Sequence, residues 1–588
     1  MLRNRKVHQR VLYALLVLAL VLSAYPVAFA QGPIRTDPQA ARAKIHPNLL
    51  ADIEAALKGK PVMRTLAGQE VTPAKGEEGL PFVAQIVAGT DLGAYADRWF
   101  VRPFVGPLGT TVAIGFAKPN ALLKMATLPG VIFMQRPESL AEPPPPVDPD
   151  LEEMLNAAIE PRIRTDPEAS PGPAPEGWYH TTAAIHGSQE AWAKGYTGAG
   201  VRYMANDSGA DYCHPDLFGT WAYIEDPASP YYGLPEMFDS YSSYVAAVDY
   251  YLGTNYIANG FADYADTSTV VSGPTATYKP IGANEAHTYT LPGTSKSGEY
   301  HIGSHPDKAL AEVADLLSGA FGDGTAVAGE RAAVLVVDET TAGVYDTVYV
   351  DLNYNFDFTD DTPARLTRDF TYQEAACLDY DDDGLNDISG GLVYFISDGT
   401  TPVPTLDWYW GIPGTAYGNG DLVAFHVQDF TEPGGDHGQG VTSVAVGQGV
   451  VRGSVYWGPS GPPQAEGKGL VVGPGKEVAS VQNGNFYVSP FIEDPYIYAG
   501  LGYDGIPGTG DDIQIVSNSW GFSGTDNDGF DYYSRLIDAI NRAYAPYTAL
   551  LFSTGNGAPG YGTVAPPSPP SSIGVGASTL YGSIGIFE

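Results

Sequence analysis

The sequence predicts an α/β fold with a mostly parallel sheet, because three apolar runs each have the character of a buried strand that ends in small or polar residues. The run that begins at Val201 reaches Asp207 and continues as Ser-Gly. Residues 515–521 end in Ser-Trp-Gly, and residues 549–557 end in Gly-Asn-Gly. Glycine allows the chain to turn sharply after a strand. Asp207 is therefore expected at the carboxyl end of a strand, where open α/β sheets place their chemistry.

A second candidate residue, His437, follows Gly-Gly-Asp at 434–436 and precedes a run of small residues that predicts a helix. The glycines allow close approach of the backbone, so we expect the imidazole at the start of that helix. Taken alone, an Asp before Ser-Gly more often forms a turn than a catalytic site. The later segments, with His437 among them, favour a catalytic role for Asp207.

The order of these segments, with Asp207 first, then His437, then a strand with Ser-x-Gly and finally Gly-Asn, resembles that of the subtilisin-like serine peptidases, the subtilases. The resemblance implies a subtilisin-like, doubly wound and mostly parallel sheet. It also implies a secreted serine endopeptidase whose substrates are polypeptides. In that reaction Asp207 would orient the imidazole and stabilise its charged form, while His437 would act as general base and then as general acid.

The resemblance assigns roles to the two later strand ends as well. Asn556 would donate its side-chain amide to the oxyanion of the tetrahedral intermediate. Ser519, Trp520 and Gly521 would form the edge along which an extended peptide substrate pairs. A non-catalytic scaffold has no physical need for the Asp, the His and the Asn together, so their joint presence favours an enzyme.

Two departures from the subtilase pattern bear on activity. Gly440 stands where the family has a second His, a change that removes no catalytic group. The family's nucleophile lies in a Gly-Thr-Ser-Met-Ala segment after the Gly-Asn strand, and residues 557–588 contain no such segment. The Gly-Thr-Ser at 293–295 precedes His437 and predicts a surface turn. We therefore expect a subtilase sequence truncated before its serine and inactive as written; the alternative is a non-catalytic, calcium-binding extracellular protein on a degenerate subtilase scaffold.

Length and charge limit the classes of protein. A chain of 588 residues is too long for one core, and three or four domains are expected. With 31 basic and 68 acidic residues, the net charge of −37 argues against nucleic acid or an anionic membrane as partner. The two cysteines, Cys213 and Cys377, are too few for a disulfide framework, and they either pair with each other or stay free.

Residues 1–30 have the pattern of a signal peptide. Four basic side chains lie among the first ten residues, an apolar run covers 11–22, and Ala-Phe-Ala at 28–30 fits a cleavage site. The apolar run is short for a membrane-spanning helix. We expect a secreted protein without a membrane partner once the signal is removed, with an uncleaved anchor as the alternative.

Residues 31–140 predict a small α+β domain with its core at 80–136. The patterns indicate a strand at 82–87, a helix at 92–99, a hairpin of 100–105 with 110–116, a helix at 120–127 and a strand at 131–134. This is the split βαβ, ferredoxin-like order. Before a subtilase domain, it resembles the family's inhibitory propeptide, and an ordinary accessory domain is the alternative.

The remaining chain divides by composition. Residues 141–175 are a proline-rich linker in which processing would release the mature enzyme. The catalytic domain would comprise 176–222 and 425–588. Between Asp207 and His437 lie 437 − 207 = 230 positions, so residues 223–424 are interpreted as an insert. Its alternating runs at 332–337, 347–350 and 391–396 predict a β-rich domain.

One acidic loop of the insert predicts a structural Ca²⁺ site. Carboxylates stand at positions 1, 3, 5 and 9 of the loop, with a glycine at position 6, as in loops that wrap oxygen ligands around calcium. The four expected ligands are Asp379, Asp381, Asp383 and Asp387. Position 12 is Gly390 rather than Glu, so this is not a complete EF-hand loop. The alternative is a solvated acidic turn.

A second loop of the insert alternates in a similar way after a predicted strand. Its polar residues are Asp351, Asn353, Asn355 and Asp357. A calcium loop and a solvated acidic turn explain this pattern equally well.

Overall fold

In a computed structural model of the chain, the described residues are 38–68, 70–71, 79–106, 108–138, 187–217, 219–236, 238–254, 256, 267–306, 327, 329–365, 375–379, 386, 388–389, 392–401, 407–412, 417–426, 437–448, 473–483, 486–522, 529–556, 564 and 567–576. The signal segment 1–30 and the linker 141–175 lie outside these residues. None of the described helices is long and apolar enough to cross a membrane.

The described α-helices are α1 Pro38–Arg42, α2 Pro47–Leu57, α3 Pro119–Met125, α4 Ser188–Ala193, α5 Ser240–Leu252, α6 Asp407–Trp410, α7 His437–Val446, α8 Asp494–Leu501 and α9 Tyr532–Tyr544. Short 3-10 helices cover Pro215–Leu217 and Phe486–Val488.

The described strands are β1 Val62–Met63, β2 Glu70–Val71, β3 Leu80–Val87, β4 Ala96–Val101, β5 Thr110–Ala117, β6 Val131–Gln135, β7 Arg202–Asn206, β8 Thr269–Ser272, β9 Thr275–Tyr278, β10 His287–Thr290, β11 Glu299–Ser304, β12 Ala333–Val337, β13 Thr347–Val350, β14 Ala364–Arg365, β15 Cys377–Leu378, β16 Ile388–Ser389, β17 Leu392–Ile396, β18 Leu422–His426, β19 Ala479–Asn483, β20 Ile515–Asn518, β21 Ala549–Ser553 and β22 Ser572–Val575.

Five parallel strands form the sheet that carries the candidate site. Their order is β19, β7, β20, β21 and β22, and each neighbouring pair is parallel. Because parallel strands share one direction, the carboxyl ends of β7, β20 and β21 meet at the same edge of the sheet. The α/β prediction and all three predicted strands of this sheet are confirmed.

The central strands β7, β20 and β21 each contribute buried side chains to a core that they share with helices. Asp531 precedes helix α9 and caps it, because its side chain accepts a hydrogen bond from the Ser534 N–H at 2.9 Å. Apolar side chains of α9 join those of the strands in one core: Met204, Val481, Val516, Leu550 and Phe552 from the sheet, and Leu536, Ile537 and Ile540 from the helix.

The N-terminal unit is an antiparallel sheet of four strands in the order β4, β5, β3 and β6. Helices α2 and α3 pack on it through the buried side chains of Leu49, Ile53, Leu122 and Met125. The predicted strands at 82–87 and 131–134 are confirmed, and the predicted hairpin is present with its first strand at Ala96–Val101 rather than at 100–105. The helix predicted at 120–127 is present as Pro119–Met125.

The helix predicted at 92–99 is wrong. The Gly93 N–H donates to the Asp91 side chain at 2.8 Å, and residues 92–95 form a turn. The chain then enters β4, which pairs antiparallel with β5. Pairing with a neighbouring strand overrides the local helical pattern, since Trp99, Phe100 and Val101 favour a pleated surface. The β-α-β-β-α-β order therefore lacks its first helix.

The region between β7 and α7 is rich in strands, as predicted. An antiparallel sheet has the order β14, β13, β12, β11 and β8, and β9 with β10 forms a separate hairpin. Side chains of β12 alternate between two cores: Val334 and Val336 lie in one, Leu335 and Val337 in the other. The predicted strands at 332–337, 347–350 and 391–396 are present as β12, β13 and β17.

The two cysteines form a disulfide between Cys213 and Cys377, with a Cα–Cα distance of 5.9 Å. Of the two possibilities left open by the sequence, pairing is the one observed. The bond joins the loop after β7 to β15 of the insert. It is consistent with an oxidising compartment.

We predict that the double variant C213S/C377S unfolds at a lower urea concentration than the unaltered chain. The disulfide closes a loop across a separation of 164 residues. Closing so long a loop restricts the unfolded chain, and its loss is expected to lower the free energy of unfolding by about 2–5 kcal/mol. Urea unfolding followed by circular dichroism measures the change. Coinciding curves for the two proteins would show that the bond does not stabilise the fold.

Candidate active site

Asp207 follows β7 directly and is fully buried. Its Oδ1 lies 2.8 Å from Nδ1 of His437, accepts the Ser208 N–H at 2.9 Å and accepts the Tyr487 hydroxyl at 3.2 Å. An ionised carboxylate can only accept hydrogen bonds, so Nδ1 of the neutral imidazole must carry its proton. In that tautomer Nε2 is the ring nitrogen that can accept a proton.

His437 is the first residue of α7, and its side chain is 26% exposed. Two hydrogen bonds tie the start of this helix to the turn after β7. The Gly438 N–H donates to Oγ of Ser208 at 2.9 Å, and the Asp211 N–H donates to Oε1 of Gln439 at 2.9 Å. The predicted position of the imidazole at a helix start is confirmed.

Gly438 explains why the helix can come so close. A Cβ at this position would lie 2.2 Å from the main-chain oxygen of Gly209, which itself has φ 90°. Any larger residue would push α7 away from the turn and lengthen the contact between the imidazole and the Asp207 carboxylate. A glycine at position 438 is therefore required by the geometry of the site.

Tyr487 is a site residue that sequence reasoning missed. Its hydroxyl donates to Asp207, and burial together with the nearby carboxylate raises the pKa of Tyr487 above its ordinary value. The hydroxyl therefore remains a donor at neutral pH. Tyr487 lies in the 3-10 helix Phe486–Val488, in a segment without a recognisable motif, so no signal in the sequence pointed to it.

A buried network of amides lies beneath this edge of the sheet and joins three strand ends. Asn206 Nδ2 donates to Oδ1 of Asn518 at 3.0 Å, and Asn483 Nδ2 donates to Oδ1 of Asn206 at 2.7 Å. The Tyr496 hydroxyl also donates to Oδ1 of Asn518, at 2.7 Å. Because β19, β7 and β20 are tied together here, the turn that carries Asp207 rests on a rigid base.

Ser519, Trp520 and Gly521 continue from the carboxyl end of β20, on the same edge of the sheet as Asp207. The Trp520 side chain is buried, and its Nε1 donates to Oδ1 of Asn518 at 3.2 Å. Its indole therefore supports the amide network rather than facing solvent. Pairing of this main chain with a peptide stays a prediction.

Asn556 lies three positions beyond the last residue of β21, after Gly555 with φ 80°, and it is exposed. Because β20 separates β21 from β7, the two strand ends are about 10 Å apart across the sheet. The structure thus brings Asn556 to the same edge as Asp207. Its role as an oxyanion donor stays a prediction.

Among the predicted calcium ligands of the first acidic loop, Asp379 follows β15 and is half-buried. Asp381, Asp383 and Asp387 lie outside the described residues. This loop therefore stays a prediction.

The N-terminal unit packs beside α8 through a buried charge cluster. Arg102, just after β4, lies 3.4 Å from Asp494 and 4.0 Å from Glu493, measured between guanidinium nitrogens and carboxylate oxygens. The Tyr409 hydroxyl contacts both Arg102 and Asp494. A second link is made by Gln135, whose Nε2 donates to the Pro490 carbonyl at 2.8 Å.

We predict that the chain loses stability as the pH rises through about 8. Burial raises the pKa of Glu493 and that of Asp494, the latter to about 8, although Arg102 opposes the change. A carboxyl whose folded-state pKa is raised stabilises the fold below its ordinary value of 3.8 and loses that contribution as pH rises through the folded value. The other titratable groups facing the pair are Tyr409, Tyr532 and Tyr533.

Urea unfolding between pH 5 and 9 tests this expectation. Asp494→Asn removes the second buried negative charge, so the variant should lose less stability across this range than the unaltered chain. An identical pH dependence for the two proteins would contradict the assignment.

Comparisons with protein-family models, with curated proteins and with solved structures gave no significant match to this chain. The chemistry of the site therefore has to be argued from its own geometry. At the carboxyl edge of the parallel sheet, the buried Asp207 carboxylate binds Nδ1 of the partly exposed His437 imidazole. An imidazole held in this way is suited to accepting a proton at Nε2.

Proposed function

We propose that this chain carries the acid–base half of a secreted serine endopeptidase of the subtilase type. The observation that carries the proposal is the 2.8 Å contact between Nδ1 of His437 and Oδ1 of the buried Asp207. Support also comes from the chain order of Asp207, His437 and Asn556 and from their positions around one sheet edge.

In the proposed reaction, Nε2 of His437 takes the proton of a serine hydroxyl while that oxygen attacks the peptide carbonyl. The imidazolium then gives the proton to the leaving amine, and water releases the acyl group by the same steps in reverse. Asp207 stabilises the imidazolium, and Asn556 donates to the oxyanion. The residues described here supply the base and its orienting carboxylate, and the serine is the component still to be located.

The N-terminal unit is proposed to act as the inhibitory propeptide of this enzyme. Support comes from its contacts beside α8, where Arg102 and Gln135 meet the rest of the chain, and from the proline-rich linker that follows it. Cleavage of that linker would separate the two parts and open the way for a polypeptide substrate.

The test is self-processing of the protein expressed from its complete gene. His437→Ala is expected to abolish cleavage between residues 140 and 175, because no base remains to activate the nucleophile. Mass spectrometry of the secreted product reads the cleavage directly. Asp226→Asn is the control, since this exposed side chain caps a turn by accepting the Ala228 N–H and lies outside the proposed site.

Normal processing of the His437→Ala protein in a host free of other secreted proteases would refute the peptidase. The non-catalytic, calcium-binding scaffold would then be the hypothesis to test.

A further inference from the structure

The residues between β13 and β14 form a second acidic loop, which has no role in the proposed peptidase site. This 351–361 loop has oxygen-bearing side chains at alternate positions from Asp351 to Asp357, and it ends with Asp360 and Asp361. It lies in the strand-rich insert, so a ligand bound there does not depend on the peptidase function.

The main chain of the loop folds back around its first carboxylate. Oδ1 of Asp351 accepts the Asn355 N–H at 3.1 Å, and Oδ2 accepts the Phe356 N–H at 3.2 Å. Tyr354 and Phe356 have φ of 55° and 62°, in the left-handed region that side chains other than glycine rarely adopt. The loop is thus held in a wrapped conformation around Asp351.

Two carboxylates of this loop are buried without a compensating cation. Asp351 is 1% exposed and Asp361 is 7% exposed. Oδ2 of Asp361 is buried without a hydrogen-bond partner in the described part of the chain. The described ion pairs with Lys, Arg or His involve neither residue. Such a pair is unfavourable unless a positive charge neutralises it.

The charges around Asp361 agree with this geometry. Its carboxyl is close enough to the carboxyls of Asp351, Asp357 and Asp360 for each of them to act on it electrostatically. The carboxyl of Asp361 therefore lies in an acidic cluster.

The donor set selects the class of ion. The loop offers only oxygen ligands from carboxylates, asparagine amides and main-chain carbonyls, with no His or Cys that would favour zinc or copper. Calcium accepts six to eight oxygens in flexible geometry, whereas magnesium requires a smaller octahedral site and retains water. Within the described residues, no three His, Cys, Asp or Glu side chains already converge as a metal cluster. Calcium can complete its shell with amide and main-chain oxygens.

We propose that the 351–361 loop binds one calcium ion, with Asp351 and Asp361 as its buried ligands. Asn353, Asn355 and Asp357 are close enough along the wrapped chain to supply further oxygens. The ion would neutralise the buried pair and hold the loop in its wrapped conformation.

The loop also joins two parts of the insert, so the ion would stabilise more than the loop itself. The Thr290 N–H at the end of β10 donates to the Phe356 carbonyl at 2.9 Å, and the Phe358 N–H donates back to the Thr290 carbonyl at 3.1 Å. Phe356 and Phe358 pack in the same core as Tyr289. Bound calcium would thereby fix the β9–β10 hairpin against the antiparallel sheet of β14, β13, β12, β11 and β8.

The experiment is calorimetric titration of the purified, chelator-treated chain with Ca²⁺ and, separately, with Mg²⁺. Asp351→Asn and Asp361→Asn are each expected to remove one bound calcium per chain or to weaken its binding by more than about tenfold. Asp398→Asn is the matched control, because Asp398 lies in an exposed turn and accepts the Thr400 and Thr401 N–H groups. Asp383→Asn identifies any separate ion bound by the 379–387 loop.

Thermal unfolding keeps the test valid where a variant changes stability. Without calcium, Asp361→Asn should melt at a temperature at least as high as that of the unaltered chain, because it replaces a buried carboxyl that has no cation to neutralise it. With calcium, the same variant should lose the upward shift in melting temperature that the unaltered chain shows. The proposal is overturned if the unaltered chain binds no calcium, if Mg²⁺ binds equally well at the same site, or if the Asp351 and Asp361 variants keep full stoichiometry and affinity.

Discussion

Replacing Asp207 with Asn is expected to lower kcat/KM for a peptide substrate by about 10⁴-fold, the loss that this exchange causes in a serine-peptidase triad. Asparagine removes the negative charge that stabilises the imidazolium of His437. In one orientation, its amide also donates to Nδ1 and leaves the ring proton on Nε2, the nitrogen that has to accept a proton in the reaction. The size of the expected loss follows from the complete burial of Asp207, since no water can replace its charge.

The measurement uses the protein expressed from its complete gene and a chromogenic peptide. Asp226→Asn, the same exchange at an exposed turn, should retain full activity. Tyr487→Phe removes only one of the three hydrogen bonds to Oδ1, so its loss should be much smaller than that of Asp207→Asn. Retention of most activity by Asp207→Asn would remove Asp207 from the mechanism.

The second large effect is expected at the buried contact of the N-terminal unit. At pH 9, where Asp494 is ionised, Arg102→Met should lower the free energy of unfolding by about 3–5 kcal/mol, because it leaves the buried carboxylates of Glu493 and Asp494 without the guanidinium that pairs with them among the described residues. The side chains of Arg102 and Asp494 are 3% and 1% exposed, so solvent does not screen the remaining charge.

Arg42 provides a matched control for distance. It pairs with Glu54 at 3.4 Å, the same separation as between Arg102 and Asp494, but the two side chains are 55% and 44% exposed. Arg42→Met should therefore change stability by less than about 1 kcal/mol. Combining Arg102→Met with Glu493→Gln and Asp494→Asn should recover much of the loss. Equal effects of the two single Arg variants on urea unfolding would show that burial does not govern this contact.

The parts of the fold that could be predicted are those in which a local pattern and the tertiary environment agree. Strands β7, β20 and β21 were recognisable because each leads into a turn that reaches a glycine within three residues of the strand end. The position of His437 at a helix start followed from the small residues around it. Its contact with Asp207 followed only from the resemblance to subtilases.

The remaining features depend on partners that are distant in sequence. Residues 96–99 belong to a predicted helix but form part of β4, because β5 offers an edge to pair with. Tyr487 reaches Asp207 across 280 positions, and Arg102 reaches Asp494 across 392. The periodicity of a single sequence does not reveal contacts between positions so far apart. The buried Asp361 was missed for the same reason, since its burial and its missing partner become visible only in three dimensions.

The most direct test of the central claim is the tautomer of His437, read from the ¹⁵N NMR shifts of its ring in protein labelled at histidine. Comparison with His437→Ala identifies its signals among those of the ten histidines. The Asp207 contact predicts that the neutral ring carries its proton on Nδ1 and that Asp207→Ala abolishes this preference. A neutral ring protonated on Nε2 in the unaltered chain would contradict the proposed base, because that nitrogen could not accept a proton from a nucleophile.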